Sequence, residues 1–190
     1  LPYKAYRCNR LTFEAFLQCG DANKLVAVVV NPLHHTNSTS ITDWALRKPG
    51  TELHLLQRYT TQYWSVLVKA GTSLGAADGA VPSACAADAD VALLAAVEAR
   101  RSSDPAGPPV VVAPLVSRHF DFLDGLITEG KLPCSEAVLR AALSDTILLL
   151  GSAPVGPTTV ERLQRYAGRL PTVRFGSTET CLQVMGTPLT

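Results

Sequence analysis

Six consecutive apolar residues, Leu25-Val-Ala-Val-Val-Val30, run up to Asn31-Pro32. Four of the six are β-branched, which crowds a helix and suits a strand. No polar position alternates through the run, so both of its faces must be covered. That is how a strand inside a parallel sheet reads. The same kind of segment returns at Val110–Ala113, Thr146–Leu150 and Thr172–Phe175, with a further strand expected over Glu52–Gln57.

Helical patterns fill the gaps. A short helix is expected around Leu11–Leu17, and another from a Ser38 or Thr39 cap to about Arg47, where Pro49-Gly50 ends it. A third opens at Thr60 or Thr61 and runs to about Lys69, with Tyr63, Val66 and Leu67 on one face. Further helices are expected over Leu115–Ile127, over Ser135–Leu143 with Ser135 as cap, and from Pro157 to about Ala167. Strands alternating with helices imply βαβ units, hence an α/β fold with a mainly parallel sheet flanked by helices.

Residues 71–109 break this rhythm. Ala, Gly, Ser, Asp and Pro dominate there, and one helix is expected over Asp88–Arg101, where Val91, Leu94, Val97 and Glu98 have helical spacing. The flanks read as flexible loop. Because strand-like Val110–Ala113 follows at once, the stretch reads as a surface insertion within one domain spanning 1–190.

Charge and cysteine usage narrow the partners. Seventeen Lys and Arg against 16 Asp and Glu leave a net charge of +1, no basis for recognising nucleic acid or an anionic membrane. No apolar run approaches the roughly 20 residues that span a bilayer. Cys8, Cys19, Cys85, Cys134 and Cys181 are scattered without C-x-x-C spacing, which fits idle thiols in a reducing, intracellular compartment.

In open parallel sheets ligands sit beyond the carboxyl ends of the strands. Three segments leave strands there with unusual residues: Asn31-Pro-Leu-His34-His35-Thr-Asn-Ser38, Leu150-Gly-Ser-Ala-Pro154 and Arg174-Phe-Gly-Ser-Thr-Glu179. Gly176 permits close approach of a ligand to the backbone. Ser177 and Thr178 offer hydroxyls and N–H groups to phosphate oxygens, Glu179 a hard oxygen for Mg²⁺, and Phe175 a flat face for a base. His34 and His35 are adjacent. On extended backbone they would point opposite ways and not share a metal. His54 and His119 read as structural or solvated, and no Ser-His-Asp order or carboxylate pair stands out.

Phe175-Gly-Ser-Thr-Glu-Thr180 resembles the aromatic-Gly-x-Thr-Glu signature of the adenylate-forming (acyl-CoA synthetase, AMP-binding) superfamily. Leu150-Gly-Ser-Ala-Pro is similar to that family's glycine-glycine-alanine turn, and Pro32-Leu-His-His35 to its Pro-Leu-Phe-His turn, in the same order. Gly50–Leu67 also resembles a family segment, so the likeness covers most of residues 25–190. It implies an interior subdomain of the large N-terminal domain of an AMP-forming acid–CoA ligase. In such enzymes a carboxylate attacks the α-phosphate of ATP, giving an acyl-adenylate and pyrophosphate, and a thiol such as CoA then displaces AMP. The implied ligands are ATP, Mg²⁺, CoA and a small-molecule carboxylic acid.

Carried over by position, Thr178 binds phosphate and Glu179 holds Mg²⁺. Phe175 packs on adenine, with Gly151, Ser152, Ala153, Pro154, Gly176 and Ser177 around the nucleotide, and His34 and His35 belong to the acyl pocket. The Pro32–His35 turn is closer to the acyl-CoA synthetase version than to that of peptide-synthetase modules. Several positions depart from the pattern: Phe175 replaces Tyr, Ser152 replaces the second glycine of the adenine turn, and Ser38 replaces a glycine three residues after His35. The family's phosphate loop would precede Leu1, while its ribose-binding Asp, hinge and catalytic Lys would follow Thr190. The resemblance therefore implies a chain that works with the remainder of its own full-length protein and is inactive alone. The alternative from a different class is a non-catalytic homologue acting as a binding or assembly module.

Overall fold

The computed structural model describes residues 3–19, 22–72, 95, 109–177, 179–180 and 184–187. The order along the chain is α1 (Tyr3–Phe16), β1 (Leu25–Val29), α2 (Thr36–Arg47), β2 (Glu52–Leu55), α3 (Thr61–Thr72), β3 (Val110–Leu115), α4 (Ser117–Thr128), α5 (Glu136–Ser144), β4 (Thr146–Leu150), α6 (Pro157–Ala167), β5 (Thr172–Phe175) and β6 (Met185–Gly186). The strands form one sheet in the order β2-β1-β3-β4-β5-β6. Every pair is parallel except β5 with β6. The expected α/β fold, a mainly parallel sheet flanked by helices, is what the chain adopts.

The continuous apolar run of β1 has the role its composition demands. Val26, Val28 and Val30 face a core built with Tyr63, Trp64 and Leu67 of α3, Phe120 and Leu123 of α4, Leu139 and Leu143 of α5, and Leu163 of α6. Leu25, Ala27 and Val29 face the opposite core, with Phe13 of α1 and Ile41 and Trp44 of α2. Alternate residues thus enter different layers, which is why the strand shows no polar period.

Strand β2 ends at Leu55, two residues short of the expected Gln57, and element bounds differ in four further places, each for a local reason. Helix α1 starts at Tyr3, not near Leu11, and its polar first half is tied to α2 by Tyr6 Oη, which donates to Asp43 (2.9 Å); Arg47 of α2 bonds Glu14 in the second half (2.5 Å). Helix α2 starts at Thr36, two residues before the expected caps. Its N-cap is His35, extended at φ −82° with no side-chain cap bond, while the Thr39 hydroxyl donates back to His35 O at 3.0 Å.

Strand β3 continues through Pro114 to Leu115, and α4 begins at Ser117. A proline inside a central strand usually loses a ladder bond. Here the Pro114 carbonyl accepts from Asn31 Nδ2 at 3.1 Å, so that edge of residue 114 faces β1, beyond the last β1–β3 pair, Ala27 with Val112. The missing N–H falls where the ladder has already ended.

Finally, Gly71 and Thr72 belong to α3 and are buried. A Cβ at Gly71 would lie 2.6 Å from Ala142 O, so glycine lets α3 pack directly on α5. Apart from Ala95, the remainder of the expected insertion (73–108) and its helix lie outside the described residues. Strand β6, two residues long, has too little pattern to be read from sequence. By contrast Ser135 caps α5 as expected, accepting from Val138 N at 3.3 Å, and β4, α6 and β5 have their expected bounds.

Candidate functional site

Because β1, β3, β4 and β5 run parallel, the segments leaving them emerge at one edge of the sheet. The order β2-β1-β3-β4-β5 places the reversal of winding between β1 and β3, where open α/β sheets form ligand crevices. Gly151 and Gly176 leave neighbouring strands at this same edge. A Cβ on Gly151 would sit 3.3 Å from Arg174 O and 3.7 Å from Asn37 Cγ. One residue from each of the three segments therefore meets at a single point.

The turn after β4 keeps an unusual backbone. Ser152 has φ +64°, a left-handed conformation that glycine adopts without cost. Its neighbours Ala153 and Pro154 are exposed, and Pro154 O accepts from Ser117 Oγ at 2.7 Å, tying the turn to the start of α4.

At the end of β5, Phe175 is 65% exposed and pairs across the antiparallel ladder with Met185, which is equally exposed. After Gly176 the chain closes a turn in which Ser177 N donates to Thr180 Oγ1 at 2.9 Å and Thr180 Oγ1 donates to Ser177 O at 3.0 Å. The Ser177 N–H, expected to serve phosphate, is thus engaged by Thr180. Glu179 is fully solvated. Hydrogen bonds from the Ser177 side chain and from its own backbone hold its carboxyl below the usual carboxylate range, so it is ionised at neutral pH. Thr178 lies outside the described residues.

The loop after β1 departs from expectation. The rings of His34 and His35 do not diverge: their centroids are 4.5 Å apart at 38°. The strand alternation rule fails because His34 lies in a turn, and only His35 is extended. Both are exposed. Among the described residues no group of three or more His, Cys, Asp or Glu side chains is placed to hold a metal. An open cleft of about 360 Å³ lies alongside this loop, between the ends of β1 and β2, lined by Val30, Asn31, Leu33, Leu55 and Leu56 but by neither histidine.

Two residues that sequence reasoning assigned no role organise the edge. Arg174 is 7% exposed. Its Nη1 donates to Ser40 Oγ at 3.2 Å, and its Nη2 donates to Asn37 Oδ1 and Asn37 O. Its Cζ sits 4.3 Å from the Phe13 ring centroid. Burial pushes its pKa down to about 10, yet it stays charged at neutral pH. Asn37, 3% exposed, also donates from Nδ2 to Leu115 O at 3.5 Å, and Gly151 N donates to that same carbonyl at 3.4 Å. Both residues stood within the quoted segments. Their only sequence signal was that position, since an arginine on a short strand reads as an edge charge.

No protein-family model matches the chain, and neither does any curated protein. Solved structures do. The chain is similar to a malonyl-CoA ligase in a ternary product complex with methylmalonyl-CoA and AMP, with a TM-score of 0.61 at 17% identity, over 98% of this chain and 30% of that one. It is similar to ATP-bound MatB from Rhodopseudomonas palustris, with a TM-score of 0.62 at 14% identity, over 99% and 27%. It is also similar to the O-succinylbenzoate coenzyme A synthetase MenE from Bacillus subtilis in complex with ATP and magnesium, with a TM-score of 0.52 at 16% identity, over 97% and 28%. The chain therefore spans less than a third of the length of these proteins, and over that span it has the fold of part of an adenylate-forming acyl-CoA synthetase.

Proposed function

We propose that this chain is the nucleotide-binding portion of an AMP-forming acid–CoA ligase. It is one partial AMP-binding domain that works with the rest of its full-length protein and takes ATP, Mg²⁺, a small carboxylic acid and CoA. The observation that carries the reading is that the exposed Phe175 and the Gly151–Ser152 turn leave neighbouring strands at one sheet edge. An aromatic ring and a glycine at the ends of neighbouring strands suit a purine base. The adjoining Ser177–Thr180 turn carries hydroxyls and the exposed Glu179 carboxylate, groups suited to phosphate oxygens and to Mg²⁺.

A single solvated, ionised carboxylate is what Mg²⁺ asks of a protein when most of its ligands are phosphate oxygens and water. Glu179 fits that demand, and the metal would supply charge neutralisation as pyrophosphate leaves. The phosphate role of Thr178 rests on the motif. His34 and His35 belong to the acid side, where the neighbouring cleft has an apolar wall of Leu33, Leu55 and Leu56. The reducing compartment inferred from cysteine usage fits a chain whose Cys134 is buried in the apolar core. Among the described residues no helix is long and apolar enough to cross a membrane.

The test uses the natural-length protein. Glu179→Gln should lower ATP-dependent pyrophosphate release by about 10²–10³, the scale of losing one electrostatic stabiliser, with an unchanged melting temperature. Phe175→Leu should instead weaken AMP binding about tenfold, because base–aromatic stacking is lost while the carboxylate remains. Residues 1–190 alone should release no pyrophosphate. An equally active Glu179→Gln protein sinks the assignment, and a natural-length protein that binds no nucleotide leaves the binding or assembly module.

A further inference from the structure

We propose that Asn37 is a positioning residue that fixes the acid-side loop, the nucleotide-side turn and the motif strand to one another by holding Arg174. The two arms of the site belong to segments more than a hundred residues apart, and nothing in a parallel ladder by itself sets the loop after β1 against the end of β5. Strands β1 and β5 are separated by β3 and β4. Their loops need a link across the sheet's edge.

Asn37 supplies it in one side chain. The amide oxygen and the main-chain oxygen accept from Arg174 on β5, and the amide nitrogen donates to Leu115 O at the end of β3. The amide carbon faces the space a Cβ on Gly151 would fill. Ser40, one turn further along α2, takes the other arm of the guanidinium. Arg174 is the residue immediately before Phe175, so whatever holds its side chain on one face of β5 sets the strand end that presents the Phe175 ring on the other. Asn37 follows His34 and His35 by two to three residues at the start of α2. A planar guanidinium fork engaged by two helical residues restrains rotation as well as distance, which a lysine ammonium would not do.

The link makes two claims, and only the second rests on the proposed nucleotide site. In the free protein, Asn37→Ala should speed amide hydrogen exchange at Gly151 and across 174–177 and 34–36 together, by about tenfold, within the range found for residues sharing one polar network. Asn37→Asp, which keeps an oxygen for Arg174 but loses the donor to Leu115 O, should restore near wild-type exchange across 174–177 and 34–36 but not at Gly151. Arg174→Lys should behave like Asn37→Ala. With AMP added, protection in the wild-type protein should spread from 151 and 175–177 to residues 34–36, and Asn37→Ala should confine it to the former.

A general loosening of the fold would accelerate exchange in α5 and α6 as well, and Asp would not rescue it. That pattern, or unchanged exchange in Asn37→Ala, overturns the proposal. So does AMP protection that stays local in the wild-type protein. If AMP does not bind at all, the nucleotide reading fails by itself, and the free-protein comparison of Ala, Asp and Lys variants still decides the role of Asn37.

Discussion

Ser152 adopts φ +64° in a turn where the resembled family carries glycine. A side chain in the left-handed region costs about 1–2 kcal/mol, part of which glycine returns through the greater freedom of its unfolded chain. Ser152→Gly should therefore stabilise the protein by about 0.5–1 kcal/mol, or roughly 2 °C in melting temperature for a chain of this size. A melt that is unchanged or lower would mean that the serine side chain supplies a compensating bond. The residues that define the candidate site were legible to differing degrees. Phe175, Gly151 and Glu179 stand in short motifs whose chemistry is local, and the structure places them as the strand order requires. Asn37 and Arg174 were not legible, because their significance lies in meeting each other across 137 positions. The divergence expected of the His34 and His35 rings was wrong for a related reason: it borrowed the alternation of a strand for residues in a turn.

Elements were legible where one of two signals was present. Continuous apolar runs gave the inner strands, and explicit start signals gave α5 and α6, with Ser135 as the cap of the first and Pro157 as the first helical residue of the second. Bounds slipped where tertiary contacts replaced local ones, as at α1 and at the last turn of α3. The two glycines within the described helices make this testable. Gly71 in α3 faces Ala142, and a Cβ there would lie 2.6 Å from a backbone oxygen and 2.9 Å from the Ala142 Cβ. Gly125 in α4 has nothing within 4 Å of the same atom. The same substitution should act in opposite directions. Gly125→Ala should gain about 0.5–1 kcal/mol from helix propensity. Gly71→Ala should lose about 1–3 kcal/mol, because backbone cannot move aside as a flexible side chain would. Chemical denaturation of the two variants measures both. A stabilised Gly71→Ala would mean that α3 and α5 do not approach as described.

On the scale of the whole molecule, two helical layers cover a sheet whose inner strands are apolar on both sides, and a titratable ring is sealed into one of them. His119 in α4 is 8% exposed, stacks on Tyr59 with centroids 4.6 Å apart, and accepts through Nδ1 from Val116 N at 3.2 Å. Burial denies the cation its water, so the ring's pKa is pushed down to about 4, and protonation would also place a hydrogen on Nδ1 against the Val116 N–H donor. The unfolded ring takes its proton near the ordinary value of about 6.5. Between those values the unfolded chain binds more protons than the folded one, so this contribution is complete above pH 6.5 and is lost as pH falls toward 4. At about 1.4 kcal/mol per pKa unit the full loss reaches at most about 3.5 kcal/mol. The carboxylates of Asp43 and Glu52, held below their usual range, lose their contribution only at lower pH still. Melting temperature should thus fall by several degrees between pH 7 and pH 4.5. His119→Gln, which keeps an acceptor for Val116 N but cannot be protonated, should flatten that slope while lowering stability at pH 7 through lost stacking. Parallel slopes for the two proteins would show that the ring titrates normally and that the α4 layer admits water around it.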